Sequence, residues 1–161
     1  MNLGIVILAL VTLQRLTELW LSNRNTRRLL AQGAREYGAG HYPLIVAVHA
    51  LWLASLWWFA PGRPVDGFWL AIYVLLQIGR IWVLATLGPR WTTRIVVLPG
   101  APLVCSGPYR LVDHPNYVVV VGEIAVLPLV FGLWQVALAF SLLNAAVLAI
   151  RIREENRALG R

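Results

Sequence analysis

Two side chains near the end of the chain have the types and the spacing to bind a polar ligand together. Arg151 and Glu155 lie four residues apart in a stretch that is predicted to continue the last apolar segment as a helix. Residues at this spacing share one face of a helix, so the guanidinium and the carboxylate either pair with each other or both point at one ligand. The sequence leaves both alternatives open.

The segment 107–117 (Gly-Pro-Tyr-Arg-Leu-Val-Asp-His-Pro-Asn-Tyr) combines further polar groups with a predicted helix start. A Pro that follows a polar residue suits the first turn of a helix, and either Asp113 or His114 is in position to cap it. The free N–H groups of a helix start attract anions such as a carboxylate. The alternative is structural: a plain helix start whose tyrosines lie at the membrane interface.

Four charged residues interrupt the apolar runs: Arg15, Glu18, Arg80 and Glu123. Ionised groups are costly inside a membrane and usually face the interior of a helix bundle in pairs. Two arginines and two glutamates balance to zero, which predicts ion pairs that fix the packing of the helices. The alternative places Glu123 beside a buried site. His49 stands alone in its run and is expected to have a packing or interfacial role.

The composition indicates a small membrane protein with several crossings. Of 161 residues, 59% are hydrophobic and only 13% are charged, whereas soluble domains carry about a quarter charged residues. The mean hydropathy is +0.68. The net charge is +7, and all 14 basic residues are arginines. These lie at the ends of apolar runs, which favours membrane topology and anionic headgroups over a nucleic-acid partner.

Several classes of site are absent from the sequence. Cys105 is the only cysteine, so an intrachain disulfide and a Cys-rich metal site are excluded. The three histidines do not have metal-ligand spacing, and we predict no metal. There is no phosphate-binding loop, dinucleotide fingerprint or serine-hydrolase motif. A cleaved signal peptide is not expected, because the chain start lacks positive charge and polar residues interrupt the first apolar run.

The apolar runs predict an all-α integral membrane protein with five transmembrane helices. The first three are predicted at Leu3–Leu21, from after Pro43 to Ala60, and at Phe68–Leu87. The segment from Arg90 to Asn116 is too polar and too rich in Pro and Gly to span. The run Tyr117–Ile150 has 34 residues, whereas about 20 span a bilayer. We therefore predict two short helices in a hairpin that breaks around Phe131 and Gly132.

The whole chain is predicted to be one domain, 1–161, whose parts differ in role. Residues 1–87 supply three transmembrane helices, and residues 88–161 supply the polar segment, the hairpin and the tail. With five helices, eleven arginines fall on one side and only Arg63 on the other. By the positive-inside rule that side is cytoplasmic, with the N-terminus outside and the C-terminus inside. The eleven are Arg24, Arg27, Arg28, Arg35, Arg90, Arg94, Arg110, Arg151, Arg153, Arg157 and Arg161.

Taken in order, these pieces resemble the isoprenylcysteine carboxyl methyltransferase family over roughly Leu87 to Leu159. The family pattern is Leu-Val, Gly-x-Tyr, His-Pro-x-Tyr, a helical hairpin and Arg-x-x-x-Glu in the tail. The chain matches it at the positions Leu103, Val104, Gly107, Tyr109, His114, Pro115, Asn116, Tyr117, Arg151 and Glu155. The stretch Leu87–Ile95 looks closer still to a bacterial branch, which O-methylates long-chain alkylpyrones or alkylresorcinols made by type III polyketide synthases.

The resemblance implies a cytosolic cofactor site for S-adenosylmethionine. It carries the cofactor contacts over to Leu103, Val104, Tyr109, His114, Pro115, Asn116, Tyr117 and Glu155. It also implies that Arg151 faces the methyl acceptor, which is a lipid entering sideways between helices. The chain departs from the family with Asp113 in place of Arg before His-Pro. It has Ala101 where the eukaryotic enzymes carry His. Both departures argue against a protein carboxylate as acceptor.

The leading hypothesis is therefore a membrane O-methyltransferase of a bacterial plasma membrane with a lipid-like acceptor. An alkylpyrone or alkylresorcinol hydroxyl is the first choice of acceptor, and an isoprenylcysteine-type carboxylate is the second. A phospholipid N-methyltransferase is a related alternative. A steroid-reductase-like enzyme shares a similar helix start but would use a nicotinamide cofactor. In a structural or transport protein, the buried charges would serve packing or conduction.

Overall fold

The computed structural model describes residues 2–160 and contains five α-helices and one pair of short strands. The helices are α1 (Leu3–Ala31), α2 (Tyr42–Phe59), α3 (Gly67–Leu87), α4 (Pro115–Val130) and α5 (Trp134–Leu159). The strands are β1 (Arg35–Tyr37) and β2 (Ile95–Val97). Three single 3₁₀ turns lie at Ala39–His41, Gly88–Arg90 and Gly107–Arg110. The structure has five helices, as many as were predicted to cross the membrane; that all five cross it stays a prediction.

Helix α1 is longer than the sequence predicts, because it continues from Leu21 to Ala31. The prediction ended the first transmembrane helix at Leu21 and placed a loop at 23–42. Arg, Leu and Asn can all continue a helix, and tertiary contacts decide the outcome. The Asn25 side chain donates to the carbonyl oxygens of Gly88, at 3.3 Å, and Trp91, at 2.8 Å. The last turns of α1 therefore hold the chain that follows α3.

The core of the bundle lies among α1, α2 and α4, around Trp52 and Phe131, which are each 1% exposed. Pro128 has no N–H group, so the carbonyl of Ile124 cannot form its normal bond inside α4. The indole Nε1 of Trp52 donates to that carbonyl at 3.2 Å. An aromatic side chain thus satisfies the one backbone acceptor that the helical proline leaves open, and it ties α2 to α4.

The hairpin predicted for the last apolar run is present, with its break where expected. Helix α4 ends at Val130, α5 begins at Trp134, and Gly132 takes the left-handed conformation (φ 67°) in the turn. The N–H of Leu133 donates to the carbonyl of Pro128 at 2.9 Å. Since three residues join the helices, they run antiparallel, and the start of α4 lies beside the end of α5.

The strand pair was not predicted. β1 and β2 are antiparallel, with Glu36 opposite Val96, and three residues are too few to give a periodic pattern in the sequence. Arg94 adds an ion pair to Glu36 at 2.8 Å and stacks on the ring of Tyr42 at 4.4 Å. The hydrogen bond to Glu36 raises the pKa of Arg94. These contacts tie the segment after α3 to the segment between α1 and α2.

Four of the helices are long and apolar enough to cross a membrane, and α4, with 16 residues, is shorter. Large apolar side chains cover the outside of these helices. On α1 and α3 they include Leu10, Leu13, Leu16, Trp20, Leu75, Ile78 and Ile81, each at least 59% exposed. A surface of this kind is stable against lipid rather than water. The prediction of an all-α integral membrane protein is confirmed at this level.

Candidate active site

A cavity of about 210 Å³ lies at the end of the bundle that carries the strand pair. We call it the polar cavity. Its walls come from the segment between α3 and α4, the first turn of α4 and the last turns of α5. The residues used below that line it are Arg90, Trp91, Leu103, Val104, Tyr109, Asp113, His114, Asn116, Tyr117, Arg151 and Glu155.

One side of the polar cavity is a connected set of four side chains, His114, Tyr117, Arg151 and Glu155, which we call the tyrosine cluster. Arg151 Nε donates to the Tyr117 hydroxyl at 2.8 Å, and that hydroxyl donates to the Glu155 carboxylate. The His114 ring stacks on Tyr117 with centroids 5.2 Å apart, and its Nδ1 lies 3.9 Å from Glu155. The phenol thus stands between the arginine and the glutamate.

The sequence left open whether Arg151 and Glu155 pair or face one ligand. In the structure the two side chains do not pair directly: both bond to the Tyr117 hydroxyl, and both line the polar cavity. Glu155 keeps 25% of its side chain exposed, whereas Arg151 as a residue is 8% exposed. The carboxylate therefore retains acceptor capacity toward the cavity, and the guanidinium is held more rigidly.

The second anchor of Arg151 is a backbone group outside the hairpin. Its Nη1 donates to the carbonyl of Thr93 at 2.6 Å. Thr93 is held in turn by the Ser22 hydroxyl, which accepts from the Thr93 N–H at 2.8 Å, and by the Tyr42 hydroxyl at 2.9 Å. Helices α1 and α2 therefore set the position of the guanidinium on α5. Thr93 lies in the stretch Leu87–Ile95 that carries the family resemblance. The sequence alone assigned no role to Thr93, Ser22 or Tyr42, because their role depends on contacts between distant elements.

The opposite wall of the polar cavity is the irregular segment that follows β2. Arg90 Nη1 donates to the carbonyl of Pro102 at 2.7 Å and so holds the stretch that contains Leu103 and Val104. Gly107 has φ 56°, and a Cβ there would lie 2.5 Å from Thr86 Oγ1, so only glycine fits this turn. Tyr109 follows the turn, and its burial raises the pKa of its phenol to about 12. Tyr109 is therefore neutral at physiological pH.

Most of the predicted site residues meet in this cavity. Seven of the eight predicted cofactor residues line it together with Arg151: Leu103, Val104, Tyr109, His114, Asn116, Tyr117 and Glu155. The eighth, Pro115, is the buried first residue of α4 and does not line the wall. The expected cap takes a different form: His114 occupies the cap position, but its side chain makes no capping hydrogen bond. Its ring stacks on Tyr117 instead.

A second cavity, of about 290 Å³, lies deeper among α1, α2, α4 and α5. We call it the apolar cavity, because most of its wall is aliphatic or aromatic. The lining residues used below are Thr12, Arg15, Glu18, Tyr42, Val46, His49, Trp52, Arg80, Trp91, Thr93, Asn116, Tyr117, Asn144, Leu148 and Arg151. Four residues line both cavities: Trp91, Asn116, Tyr117 and Arg151. The two cavities therefore share one wall, formed around the tyrosine cluster.

The shared wall carries a buried atom with unused bonding capacity. Asn116 Oδ1 is buried and has no hydrogen-bond partner among residues 2–160. Buried polar atoms are nearly always bonded, so an exception at the boundary of two cavities indicates a place for a ligand or an ordered water. Trp91, which belongs to the same wall, is 2% exposed, its indole Nε1 is likewise buried without a partner among the described residues, and it was not singled out as a site residue.

The four charged residues of the apolar runs form one network, which we call the ion cluster. Arg15 pairs with Glu18 at 3.0 Å and with Glu123 at 2.7 Å. Arg80 pairs with Glu18 at 3.3 Å and bonds to both carboxylate oxygens of Glu123. The predicted pairing is confirmed. Glu123 is fully buried and does not line the apolar cavity, whereas Arg15, Glu18 and Arg80 do.

The part of the chain that the structure describes contains no group of three or more metal-ligating side chains. The polar cavity instead combines a carboxylate, a guanidinium, a helix start and several aromatic rings. Such a set suits a zwitterionic organic molecule, because it offers partners for both signs of charge.

Comparison with known proteins supplies the family. A family model described as the isoprenylcysteine carboxyl methyltransferase (ICMT) family matches residues 69–161, which include both walls of the polar cavity. This chain belongs to the isoprenylcysteine carboxyl methyltransferase family. Membership supports a membrane methyltransferase activity. The matched region contains α4, α5 and the segment before them, so the family pattern and the tyrosine cluster lie in the same part of the fold.

Two curated relatives extend the similarity over nearly the whole chain. The uncharacterized protein YpbQ of Bacillus subtilis is 38% identical over 159 residues, which cover 96% of this chain and 95% of the relative. An uncharacterized protein of Haemophilus influenzae is 28% identical over 153 residues, covering 90% and 88%. No solved structure matches the chain. The similarity to YpbQ includes α1 and α2, which lie outside the family model and line the apolar cavity.

Proposed function

We propose that this protein is an S-adenosylmethionine-dependent membrane O-methyltransferase with a lipid-like acceptor. The observation that carries the proposal is the wall shared by the polar and apolar cavities. A polar donor in one cavity and an apolar acceptor in the other would meet at Tyr117, Asn116 and Arg151. The enzyme then has mainly to align two reactants that come from different solvents, which is catalysis by orientation.

The residues of the polar cavity fit S-adenosylmethionine. The Glu155 carboxylate accepts from the ammonium or the ribose hydroxyls, and the start of α4 favours a carboxylate. The rings of Tyr109 and Tyr117 suit a sulfonium through cation–π contact. The unpartnered Oδ1 of Asn116 adds an acceptor to the wall. When bound, this cofactor supplies a methyl group on a positively charged sulfur, which a nucleophilic oxygen can take.

Arg151 is the residue that we propose to face the acceptor oxygen. Its guanidinium is fixed by Tyr117 and by the Thr93 carbonyl, and it lines the apolar cavity. A fixed positive charge holds a carboxylate directly, and it favours ionisation of a hydroxyl, which otherwise has a pKa near 10 in a phenol. His114 lines the polar cavity and is not among the residues that line the apolar cavity. His114 is therefore better placed to contact the cofactor than to act as the base.

For the acceptor we propose the hydroxyl of an alkylpyrone or alkylresorcinol, with an isoprenylcysteine-type carboxylate as the second choice. The apolar cavity suits an alkyl chain, since its wall between Thr12 and Leu148 is largely aliphatic and aromatic. A ring hydroxyl at the head of such a chain would lie at the shared wall. Asp113 and Ala101, which depart from the pattern of enzymes that use protein carboxylates, support the first choice.

We also propose that α4 crosses the membrane, so that the protein has five crossings with the N-terminus outside and the C-terminus in the cytoplasm. Its 16 residues extend about 24 Å, somewhat less than a hydrocarbon core of about 30 Å. The hairpin supports the crossing, because α5 must return its arginine-rich end to the side where α4 begins. That side carries the polar cavity, and cytoplasmic S-adenosylmethionine reaches it from water. The membrane is proposed to be a bacterial plasma membrane.

The decisive experiment is calorimetric titration of the full chain in mild detergent with S-adenosylmethionine and S-adenosylhomocysteine. We expect micromolar binding by the wild type and at least about tenfold weaker binding by Glu155→Gln, which keeps the shape but loses the charge. Glu154→Gln is the matched control, because Glu154 is adjacent, pairs with Arg157 and is outside the cavity lining.

Radiolabelled methyl transfer to hydroxypyrone, resorcinol, phospholipid and prenylcysteine acceptors then identifies the class of acceptor. Transfer to phospholipid amines alone would replace O-methylation with N-methylation. A folded wild type that binds neither cofactor form, with or without an acceptor lipid, would refute the methyltransferase proposal. NADPH would then be titrated next.

A further inference from the structure

A second group of polar side chains lines the apolar cavity about two helical turns from the shared wall. We call this group the deeper level, and the methyl-transfer site does not use it. Helix α5 places Arg151 at the shared wall, and α2 places Tyr42 against Thr93, the residue whose carbonyl anchors Arg151. Each helix carries a second polar residue of the apolar cavity seven positions away, Asn144 and His49. Seven residues are two helical turns, so both members of each pair face the same way and lie about 10 Å apart along the axis. Arg15 on α1 lines the apolar cavity and lies seven residues before Ser22, which bonds to Thr93. By the same spacing, Arg15 belongs to the deeper level.

Asn144 is the clearest sign that this deeper level serves a ligand. The residue is 5% exposed and lies within the apolar run of α5. Neither atom of its amide has a hydrogen-bond partner among residues 2–160. The amide atoms are not sealed by packing, and the side chain lines the apolar cavity. A polar group of this kind inside a membrane protein is costly unless something bonds to it.

His49 presents a complementary group to the same cavity. Its Nδ1 lies 2.9 Å from the carbonyl of Ile45, and because a carbonyl oxygen only accepts, Nδ1 carries the hydrogen. In the neutral ring, Nε2 is then an acceptor, and no residue of the described chain bonds to it. The sequence alone suggested a packing or interfacial role for His49, but the residue lines the apolar cavity and its Nε2 is not sealed by packing.

The ion cluster adds hydrogen-bond donors at this level. Glu123 accepts from Arg15, from Arg80 twice and from Gln77, so its lone pairs are used. Arg15 directs one bond to Glu18 and one to Glu123, which is fewer than the five N–H groups of a guanidinium. The groups of the ion cluster that can still bond to a ligand are therefore arginine N–H donors, not carboxylate oxygens. Arg15 and Arg80 line the apolar cavity, and the saturated Glu123 does not.

We infer that Asn144, His49 and Arg15 form a second binding site for the acceptor, specific for a hydroxyl or carbonyl oxygen that is not the methylated one. A hydroxyl would donate to His49 Nε2 and accept from the Asn144 amide or Arg15, and a carbonyl would accept from the latter two. The inference rests on the proposed function and narrows its substrate class. The acceptor has at least two oxygens, with the second held deeper in the membrane than the first.

The test compares acceptors that differ only in the second oxygen. The probes are a phenol, a resorcinol and a hydroxypyrone with the same alkyl chain, together with phenols whose meta alkyl chain carries a hydroxyl on its first, third or fifth carbon. This series extends the spacing of the two oxygens toward the separation of the two levels. Binding to the full chain in detergent is measured by calorimetry without cofactor, and methyl transfer is measured separately. We expect at least one two-oxygen probe to bind about tenfold more tightly than the phenol, as one added hydrogen bond predicts.

Asn144→Leu is the main variant, because it removes the amide and keeps the approximate volume. We expect it to bind the two-oxygen probes no more tightly than the phenol and to melt at a higher temperature than wild type, since an unbonded amide is lost. His49→Phe, which removes Nε2, is the second variant, and we expect it to reduce the same preference. Leu148→Ala is the matched control: it lines the same cavity without a polar atom, so it should weaken all probes by a similar factor.

Each outcome bears on one proposal. Equal binding of the phenol and every two-oxygen probe by wild type would refute the second site, even if all are methylated. A lower melting temperature of Asn144→Leu with unchanged preference would mean that Asn144 serves packing, and it would also refute the site. A binding preference that Asn144→Leu abolishes, without any methyl transfer, would leave the second site standing and refute the methyltransferase proposal.

Discussion

The tyrosine cluster and the ion cluster are built from similar groups but arranged for opposite purposes. In the ion cluster, Arg15 and Arg80 bond directly to Glu123, which is fully buried. In the tyrosine cluster, a phenol separates Arg151 from Glu155, and the glutamate side chain stays 25% exposed on a cavity. Direct pairing saturates the Glu123 carboxylate and leaves only arginine N–H groups unused, whereas separation by Tyr117 leaves the Glu155 carboxylate open to a ligand.

The comparison shows that an arginine and a glutamate in an apolar chain are not by themselves evidence for a site. What distinguishes the two clusters is the remaining bonding capacity of the carboxylate. Glu123 has none, and Glu155 still has open positions toward the polar cavity. The ion cluster is therefore expected to determine stability, and the tyrosine cluster is expected to determine catalysis. Variants in the two clusters should separate these properties.

The largest expected effect is on stability, from breaking the ion cluster. Glu123→Gln leaves Arg15 and Arg80 without their shared carboxylate, and loss of one partner from a buried ion pair costs about 3–5 kcal/mol. The measurement is thermal or denaturant unfolding in detergent. The double variant Glu123→Leu with Arg80→Met removes both partners and should recover part of the loss. A Glu123→Gln protein as stable as wild type would contradict the assignment of this cluster to packing.

The next largest effect is on rate, from changing the acceptor side of the tyrosine cluster. Arg151→Lys keeps a charge but cannot bond to Tyr117 and the Thr93 carbonyl together. We expect kcat to fall about 100-fold, because a small misplacement of a positioning charge has that effect. The Kd for S-adenosylmethionine should stay within about threefold of wild type, since Glu155 is unchanged. An equal loss in cofactor affinity and rate would place Arg151 at the donor instead.

A smaller effect is expected from Thr93, which acts on the reaction through Arg151. Thr93→Val removes the hydroxyl that bonds to Ser22 and Tyr42, each bond being worth about 1 kcal/mol. We expect kcat to fall about fivefold with little change in KM, since the guanidinium is less firmly held. Thr93→Ser should restore the rate. Thr17→Val is the control, because that hydroxyl bonds only within α1 and lines neither cavity. If Thr93→Val raises KM and leaves kcat unchanged, Thr93 contacts the acceptor instead.

The sequence was sufficient for the parts of this molecule that depend on local patterns. The five helices, the hairpin break near Gly132 and the pairing of the four buried charges follow from apolar length, turn residues and charge balance. The family resemblance also named residues that line the polar cavity. Of the eight predicted cofactor residues, only Pro115 does not line it. The helices, the break and the motif are encoded in short stretches of chain. The ion pairs join distant helices, but a charge inside an apolar run needs a partner, and the sequence offers few.

The features that were missed all depend on contacts between distant segments. The last turns of α1 looked like a loop because the bonds of Asn25 to the chain after α3 are invisible in the sequence. The strand pair and the role of Thr93 were missed for the same reason. The unpartnered amide of Asn144 is recognisable only when its surroundings are known. Periodicity indicates which residues are apolar, but it does not show which polar residue lacks a partner.

The smallest effect is expected at the ion pair between the strands. Arg94 and Glu36 have side chains that are 33% and 22% exposed, and pairs in contact with water are worth about 0.2–1 kcal/mol. Glu36→Gln should therefore lower stability by less than 1 kcal/mol, far less than Glu123→Gln. Added salt should weaken the wild-type pair and leave Glu36→Gln unchanged, because screening acts on exposed charges. An effect of Glu36→Gln as large as that of Glu123→Gln would mean that burial is not what separates the two kinds of pair. The contrast between a saturated buried carboxylate and an exposed one would then lose its physical basis.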